Sequence, residues 1–307
     1  MIRFDMKKTR IIVFLLISLI ALFFIYSHFS SFKKDEIYST KGGKFFYSEK
    51  REVPKYQIIP KYKNESLEVF SVKFRSRDFL NYTTFVYGLL FMPQQGENLP
   101  GIVLLPGGGG TKEGETNFAS FIAKKGYAVL TIDQRGIGET GGYYLNVDED
   151  YKVFSRGQEP VQHLAVYDVL ASFDVLGDIK RIDKENIALI GKSMGGRYAL
   201  IAAAIDRRIK GVLAISSSGF NIKKDSSPYN SYLLSIDPDN YVGDIAPRQV
   251  IFFSSKNDTV VPLAYVKNTY DIAGNPKELY IVDNCSHGYC DAMQQDLNKS
   301  LKEVFGV

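Results

Sequence analysis

From Gly101 onward the sequence alternates short apolar runs with longer amphipathic stretches: "GIVLLP", "YAVLTID", "IALIG", "GVLAIS", "QVIFFSS" and "ELYIVD" recur between segments with helical spacing. A run that is apolar at nearly every position is a strand buried on both faces, and parallel strands need a helix-length crossover between them. The expected fold is therefore α/β, a mostly parallel eight-stranded sheet with helices on both faces. Two earlier strands are predicted at Glu68 to Arg75 and Thr83 to Met92. Helices are predicted at "NFASFIAKKG", Val161 to Leu176, Met194 to Ile205, Leu263 to Ile272 and over a final stretch to about Val304. Ligands of such sheets bind beyond the carboxyl ends of the strands, so chemistry is sought in the residues that follow each one.

With 307 residues, 45% of them hydrophobic, the chain can bury one large core. Four of its 38 Lys and Arg and one of its 34 Asp and Glu fall in the first ten residues, leaving the rest near neutral, which argues against a nucleic-acid partner. Residues 11–29, "IIVFLLISLIALFFIYSHF", carry no formal charge. At 1.5 Å per residue they cover most of a hydrocarbon core of roughly 30 Å, so a single transmembrane helix is expected ahead of the globular fold. The Ala-x-Ala pattern of a cleaved signal peptide is missing after the apolar run, which favours a retained anchor. Basic residues flank the span equally on both sides. The dense basic tail of residues 1–10 then favours an N-terminus inside and a catalytic domain on the extracytoplasmic side of the cell membrane. Residues 30–62 read as a tether becoming ordered near Val53, and residues 63–307 as the globular domain.

"GKSMG" sets Ser193 between Gly191 and Gly195, directly after a predicted buried strand and before a predicted helix. A serine held on a strained strand-to-helix turn needs neighbours without side chains, and its Oγ then projects from the top of the sheet. A hydroxyl is a poor nucleophile unless a base takes its proton. Of the three histidines, His28 lies in the apolar span and His163 inside a predicted helix, where packing is the simpler role. His287, in "DNCSHGYC" just past "ELYIVD", stands where a base belongs. The imidazole needs a carboxylate to fix its tautomer, and Asp258 in "SSKNDTVVP" is favoured over Asp283. Backbone donors for an oxyanion are expected from Met194 and from Gly108 in "PGGGG". That glycine run lacks the Gly-Lys-Ser/Thr of a phosphate loop.

With these motifs in order, residues 65 to 307 resemble the α/β-hydrolase superfamily. "DQRGIGET", from Asp133 to Thr140, and "APRQVIFFSSKNDTVVP" are similar to segments many members carry. Among subgroups the sequence looks most like dienelactone-hydrolase and prolyl-oligopeptidase-like serine esterases. The oxyanion loop departs from the common His-Gly-x-Gly in having Pro106 at the first position. The resemblance implies a cofactor-free serine hydrolase cleaving a small-molecule ester or related acyl bond through a Ser193, Asp258, His287 triad. A peptidase is the alternative within enzymes, and a non-catalytic binding protein on the same fold the alternative outside them.

The resemblance makes Asp133 and Arg135 a structural turn beneath the site. Lys192 reads as solvent-facing or paired to a loop. Cys285 and Cys290 bracket His287 without the further ligands a zinc site needs, so no metal is expected, and an extracytoplasmic location favours pairing them. The segments from Gly141 to Pro160 and from Ser217 to Pro247 are too long for simple connections and are expected to shape the substrate site.

Overall fold

The computed structural model describes residues 38–306 apart from residue 224. A two-stranded sheet of β1 (Tyr38–Lys41) and β2 (Lys44–Tyr47) comes first. The main sheet is built from β3 (Tyr56–Lys63), β4 (Leu67–Arg75), β5 (Phe85–Pro93), β6 (Leu99–Leu105), β7 (Ala128–Ile132), β8 (Ile182–Lys192), β9 (Gly211–Ile215), β10 (Gln249–Ser255) and β11 (Lys277–Val282). Its order is β11-β10-β9-β8-β6-β7-β5-β4-β3, with β6 to β11 mutually parallel and β5, β4 and β3 joined antiparallel.

The sheet has nine strands rather than the expected eight. The extra strand is β3, whose residues read as tether. It is an edge strand, mostly exposed, with a register shift between Pro60 and Tyr62. Charge and proline on an edge protect it from pairing with other chains, and they also erase the hydrophobic period by which a strand is recognised. The residues before it are fastened to the domain as well. Arg51 forms buried ion pairs with Asp174 at 2.9 Å and Asp206 at 2.6 Å, while Phe45 stacks on His163 with ring centroids 3.9 Å apart. No helix among the described residues is long and apolar enough to cross a membrane. The expected anchor at residues 11–29 lies outside the described residues.

Seven helices follow the strands among the described residues: α1 (Thr116–Ala123), α2 (Val147–Phe154), α3 (Val161–Asp178), α4 (Met194–Ile205), α5 (Pro228–Ser235), α6 (Leu263–Ile272) and α7 (Gln294–Phe305). Alternate strand residues face opposite sides. Ile102, Leu104, Ala188, Ile190, Leu213, Ile215, Ile251 and Phe253 pack with Phe118 and Ile122 of α1 and Leu297 and Leu301 of α7. Helices α3 and α4 pack against β8 and each other. Both faces of β6, β8, β9 and β10 are thereby buried, which is why those strands lack polar alternation.

The two long segments contain α2 and α5 and pack together as one cap. Asn146 and Glu149 cap α2 reciprocally. Tyr229 of α5 donates its hydroxyl to Asp148 at 2.7 Å and Tyr232 to Asp150 at 2.8 Å, while Asp150 also accepts the first amides of α3, Val161 at 2.6 Å and Gln162 at 3.0 Å.

His163 is fully buried in α3, its Nε2 2.8 Å from Ser235 Oγ, and burial pushes its pKa down to about 3. An unfolded histidine titrates near 6.5. Its contribution is therefore complete above that value and is lost as pH falls toward the folded value, by about 3 kcal/mol at pH 4. Urea unfolding from pH 8 to pH 4 is expected to show a steeper loss in the native sequence than in His163→Gln. Parallel curves would mean that His163 accepts a proton without opening the fold.

Candidate active site

Strand β8 runs straight into Ser193, which has φ 51° and ψ −120°, and α4 starts at the next residue. Such a φ is costly for a residue with a Cβ and persists only where its surroundings hold it. The glycines are required by contact. A Cβ on Gly191 would collide with the Gly195 backbone carbonyl, and one on Gly195 with the carbonyl of Pro106. The loop after β6 thus lies directly against the first turn of α4.

Gln134 fixes that loop. Its Nε2 donates to the Pro106 carbonyl at 3.0 Å and its Oε1 accepts the Gly109 amide at 3.1 Å, while Gly110 donates to the Gly107 carbonyl at 2.9 Å. Among the described residues no protein acceptor takes the N–H of Gly108 or of Met194. The helix dipole adds to the anion-binding character of the Met194 end.

At the end of β10, Asp258 is buried and faces the loop after β11. His287 Nδ1 lies 2.9 Å from its Oδ2 and 3.1 Å from its Oδ1. Burial acts to raise the Asp258 carboxyl, but the amides of Val261 and Val260, each at 2.9 Å, the His287 imidazole and the Ser216 hydroxyl outweigh it and hold it below the usual carboxylate range. Asp283 points elsewhere, largely exposed and paired with Lys256 at 2.8 Å. Ser193, Gly107, Gly108, His287 and Gly288 line a common cavity of about 450 Å³. No hydrogen bond joins Ser193 to His287 among the described residues; in serine hydrolases this bond commonly tightens only with substrate present.

Three supporting residues were missed in the sequence reading. Gln134 orders the glycine loop. Ser216, at φ 48° just after β9, accepts the Gly288 amide at 3.0 Å beside its bond to Asp258. Ser255 donates to the Cys285 carbonyl at 2.6 Å. Ser216 and Ser255 sit at strand ends, the one positional signal that could have found them. Lys192 pairs with buried Glu115 at 2.7 Å, the loop-pairing alternative foreseen for it. Asp133 accepts the Lys112 and Glu139 amides at 2.8 and 2.9 Å, and Arg135 makes a two-pronged buried pair with Asp168 at 2.9 and 2.6 Å, so both act as turn supports. No group of three or more His, Cys, Asp or Glu suited to a metal occurs among the described residues.

Cys285 and Cys290 form a disulfide across the His287 loop. Tyr289, between them, also packs on Phe118 with ring centroids 4.2 Å apart. Closing so short a loop gives about 2 kcal/mol in the chain-entropy model. Reduction is expected to lower the turnover of any substrate of this site severalfold through a looser His287, with a melting temperature lower by no more than about 5 °C. Unchanged turnover after complete thiol alkylation would show that the bond does not position His287.

Fold and elbow geometry define the class: this is an α/β-hydrolase-fold protein. Residues 100–235 match the family described as alpha/beta hydrolase fold. The uncharacterized protein YfhR of Escherichia coli (strain K12) is 23% identical over 192 residues, 61% of this chain and 62% of that protein, so the match spans less than two thirds of that relative. Hydrolase pyiE of Pyricularia grisea is 32% identical over 136 residues, 42% of this chain and 27% of its own. Among solved structures, the acetyl xylan esterase from Paenibacillus sp. R4 superposes with a TM-score of 0.70 at 20% identity, covering 83% of this chain and 90% of the esterase, a likeness of fold.

Proposed function

We propose that this chain is a serine hydrolase that cleaves carboxylic esters through an acyl-enzyme, anchored to a membrane by residues 11–29 with its catalytic domain on the extracytoplasmic side. His287 Nε2 takes the proton of Ser193 Oγ as that oxygen attacks the ester carbonyl. The resulting oxyanion is held by the N–H groups of Gly108 and Met194. The carbon–oxygen bond to the alcohol then breaks, and His287 returns its proton to the departing oxygen. Water, deprotonated by the same imidazole, releases the acid and frees Ser193. Asp258 keeps the proton of neutral His287 on Nδ1 and stabilises the imidazolium.

The observation that carries this reading is the strained Ser193 in one cavity with His287, whose far nitrogen is bonded to a carboxylate held below its usual range. An esterase among the solved structures of this fold makes short-chain esters the first class to test. The Cys285–Cys290 bond supports a compartment that permits disulfides. The experiment is turnover of a panel of neutral short-chain esters by the purified protein and by Ser193→Ala, with hydrolysis expected from the former alone.

A further inference from the structure

A second cavity, of about 320 Å³, shares Ser193 and Val260 with the first and is otherwise walled by α4, the stretch Ser217–Phe220 and the residues Val261, Pro262 and Tyr265. His287 lies in the first cavity and not in this one. Since the departing alcohol takes its proton from His287, the first cavity suits the alcohol, and the second, which His287 does not line, suits the acyl chain.

That second cavity is lined by a cation, Arg197, that makes no ion pair among the described residues. Arg197 stands one helical turn beyond Ser193, its amide donating to the Ser193 carbonyl at 3.2 Å, and its guanidinium lies over the Phe220 ring at 4.7 Å. The other partly or fully buried arginines among the described residues have acceptors: Arg51, Arg77, Arg135 and Arg181 reach carboxylates and Arg248 reaches backbone carbonyls. Arg197 makes no ion pair or side-chain hydrogen bond among the described residues. Asp237 feels its charge but makes no ion pair or hydrogen bond with it; the Oδ1 of Asp237 accepts the amides of Phe220 at 3.1 Å and Asp239 at 3.0 Å. Asp239 in turn accepts from Thr269 at 2.6 Å and Asn268 at 2.9 Å.

Ser217 supplies an independent observation. Its hydroxyl is buried, lines the same cavity and has no hydrogen-bond partner among the described residues. A forked cation and an unpartnered hydroxyl on two residues that line one cavity match a carboxylate, which can take both kinds of bond at once. Asp237 and Asp239 behind the wall disfavour a dianion such as a phosphate monoester. Val261, Pro262 and Tyr265 offer an apolar side for connecting methylenes.

We infer that the acyl part of the substrate ends in a carboxylate held by Arg197 and Ser217, so that the enzyme's substrates are half-esters of short dicarboxylic acids. The inference rests on the serine-hydrolase reading and deepens it. Attack, departure of the alcohol and hydrolysis of the acyl-enzyme proceed as above, releasing the dicarboxylate and the alcohol.

The test compares monoethyl glutarate with ethyl valerate, equal in carbon count and differing by a carboxylate in place of a methyl group, with acid release followed near neutral pH. For the native protein kcat/KM is expected to favour the glutarate by about tenfold or more. In Arg197→Gln the ratio should fall below one, in Arg197→Lys it should be intermediate because a point charge replaces the fork, and in Ser217→Ala it should drop severalfold. Glutarate itself should protect Ser193 from a fluorophosphonate in the native protein and not in Arg197→Gln. Melting curves establish that each variant is folded, and Ser217→Ala carries the test if Arg197→Gln is not. Turnover of ethyl valerate without preference for the glutarate, or a ratio unchanged in a folded Arg197→Gln, would overturn this inference while leaving the serine hydrolase standing. Absence of turnover of both esters, together with absence of fluorophosphonate labelling, would overturn both.

Discussion

Ser193→Ala is expected to fold as the native chain does and to lose ester turnover by about 10⁴-fold or more. Alanine keeps the Cβ that the elbow at φ 51° already accommodates, so no new strain is introduced. What disappears is the oxygen proposed to form the acyl-enzyme. The proposed oxyanion donors and the His287–Asp258 pair remain, and the residual rate is what these alone supply to attack by water. Melting temperature and ester turnover measured on the same preparation check the expectation. A folded variant with turnover within about tenfold of native would place the nucleophile elsewhere.

The second large effect separates two carboxylates. In Asp258→Asn the amide nitrogen can donate to His287 Nδ1, forcing the ring proton onto Nε2, where it blocks acceptance from Ser193. A comparable change in a serine protease triad costs about 10⁴ in kcat, and a loss of that order is expected here. Asp283→Asn removes only an exposed pair with Lys256 at 2.8 Å and should change turnover by less than about twofold. Because Asp258 is held below the usual carboxylate range, it stays charged across the working pH range, and its protonation should not set the acid limb of the activity profile. Steady-state rates of the two variants against one ester decide the matter. A greater loss in Asp283→Asn would contradict the observed bonding of His287.

The central part of the molecule was legible because burial on both faces leaves a plain record. Helix α4 was bounded as observed, and β8 was recognised by its apolar "IALIG", although its polar start at Ile182 to Asn186 was not. The choice of Asp258 over Asp283 followed from strand order, and the structure pairs Asp258 with His287. Residues 44–63 were illegible for the opposite reason. They are held by Arg51 ion pairs, aromatic contacts and an exposed edge, none of which leaves a hydrophobic period. The two cap segments were singled out by their length, but their helices α2 and α5 and the contact between them were not, since the two meet through tyrosine–carboxylate bonds between segments some eighty positions apart. Gln134 was read as part of a family segment, yet its work is done on Pro106 and Gly109, across a distance that sequence order does not reveal.

The most direct measurement of the central claim is peptide mass mapping after treatment with a fluorophosphonate. The account predicts one phosphonyl adduct, on Ser193, abolished in Ser193→Ala and strongly slowed in Asp258→Asn. An adduct on any other serine, or an unmodified Ser193 in a protein that still hydrolyses esters, would contradict it.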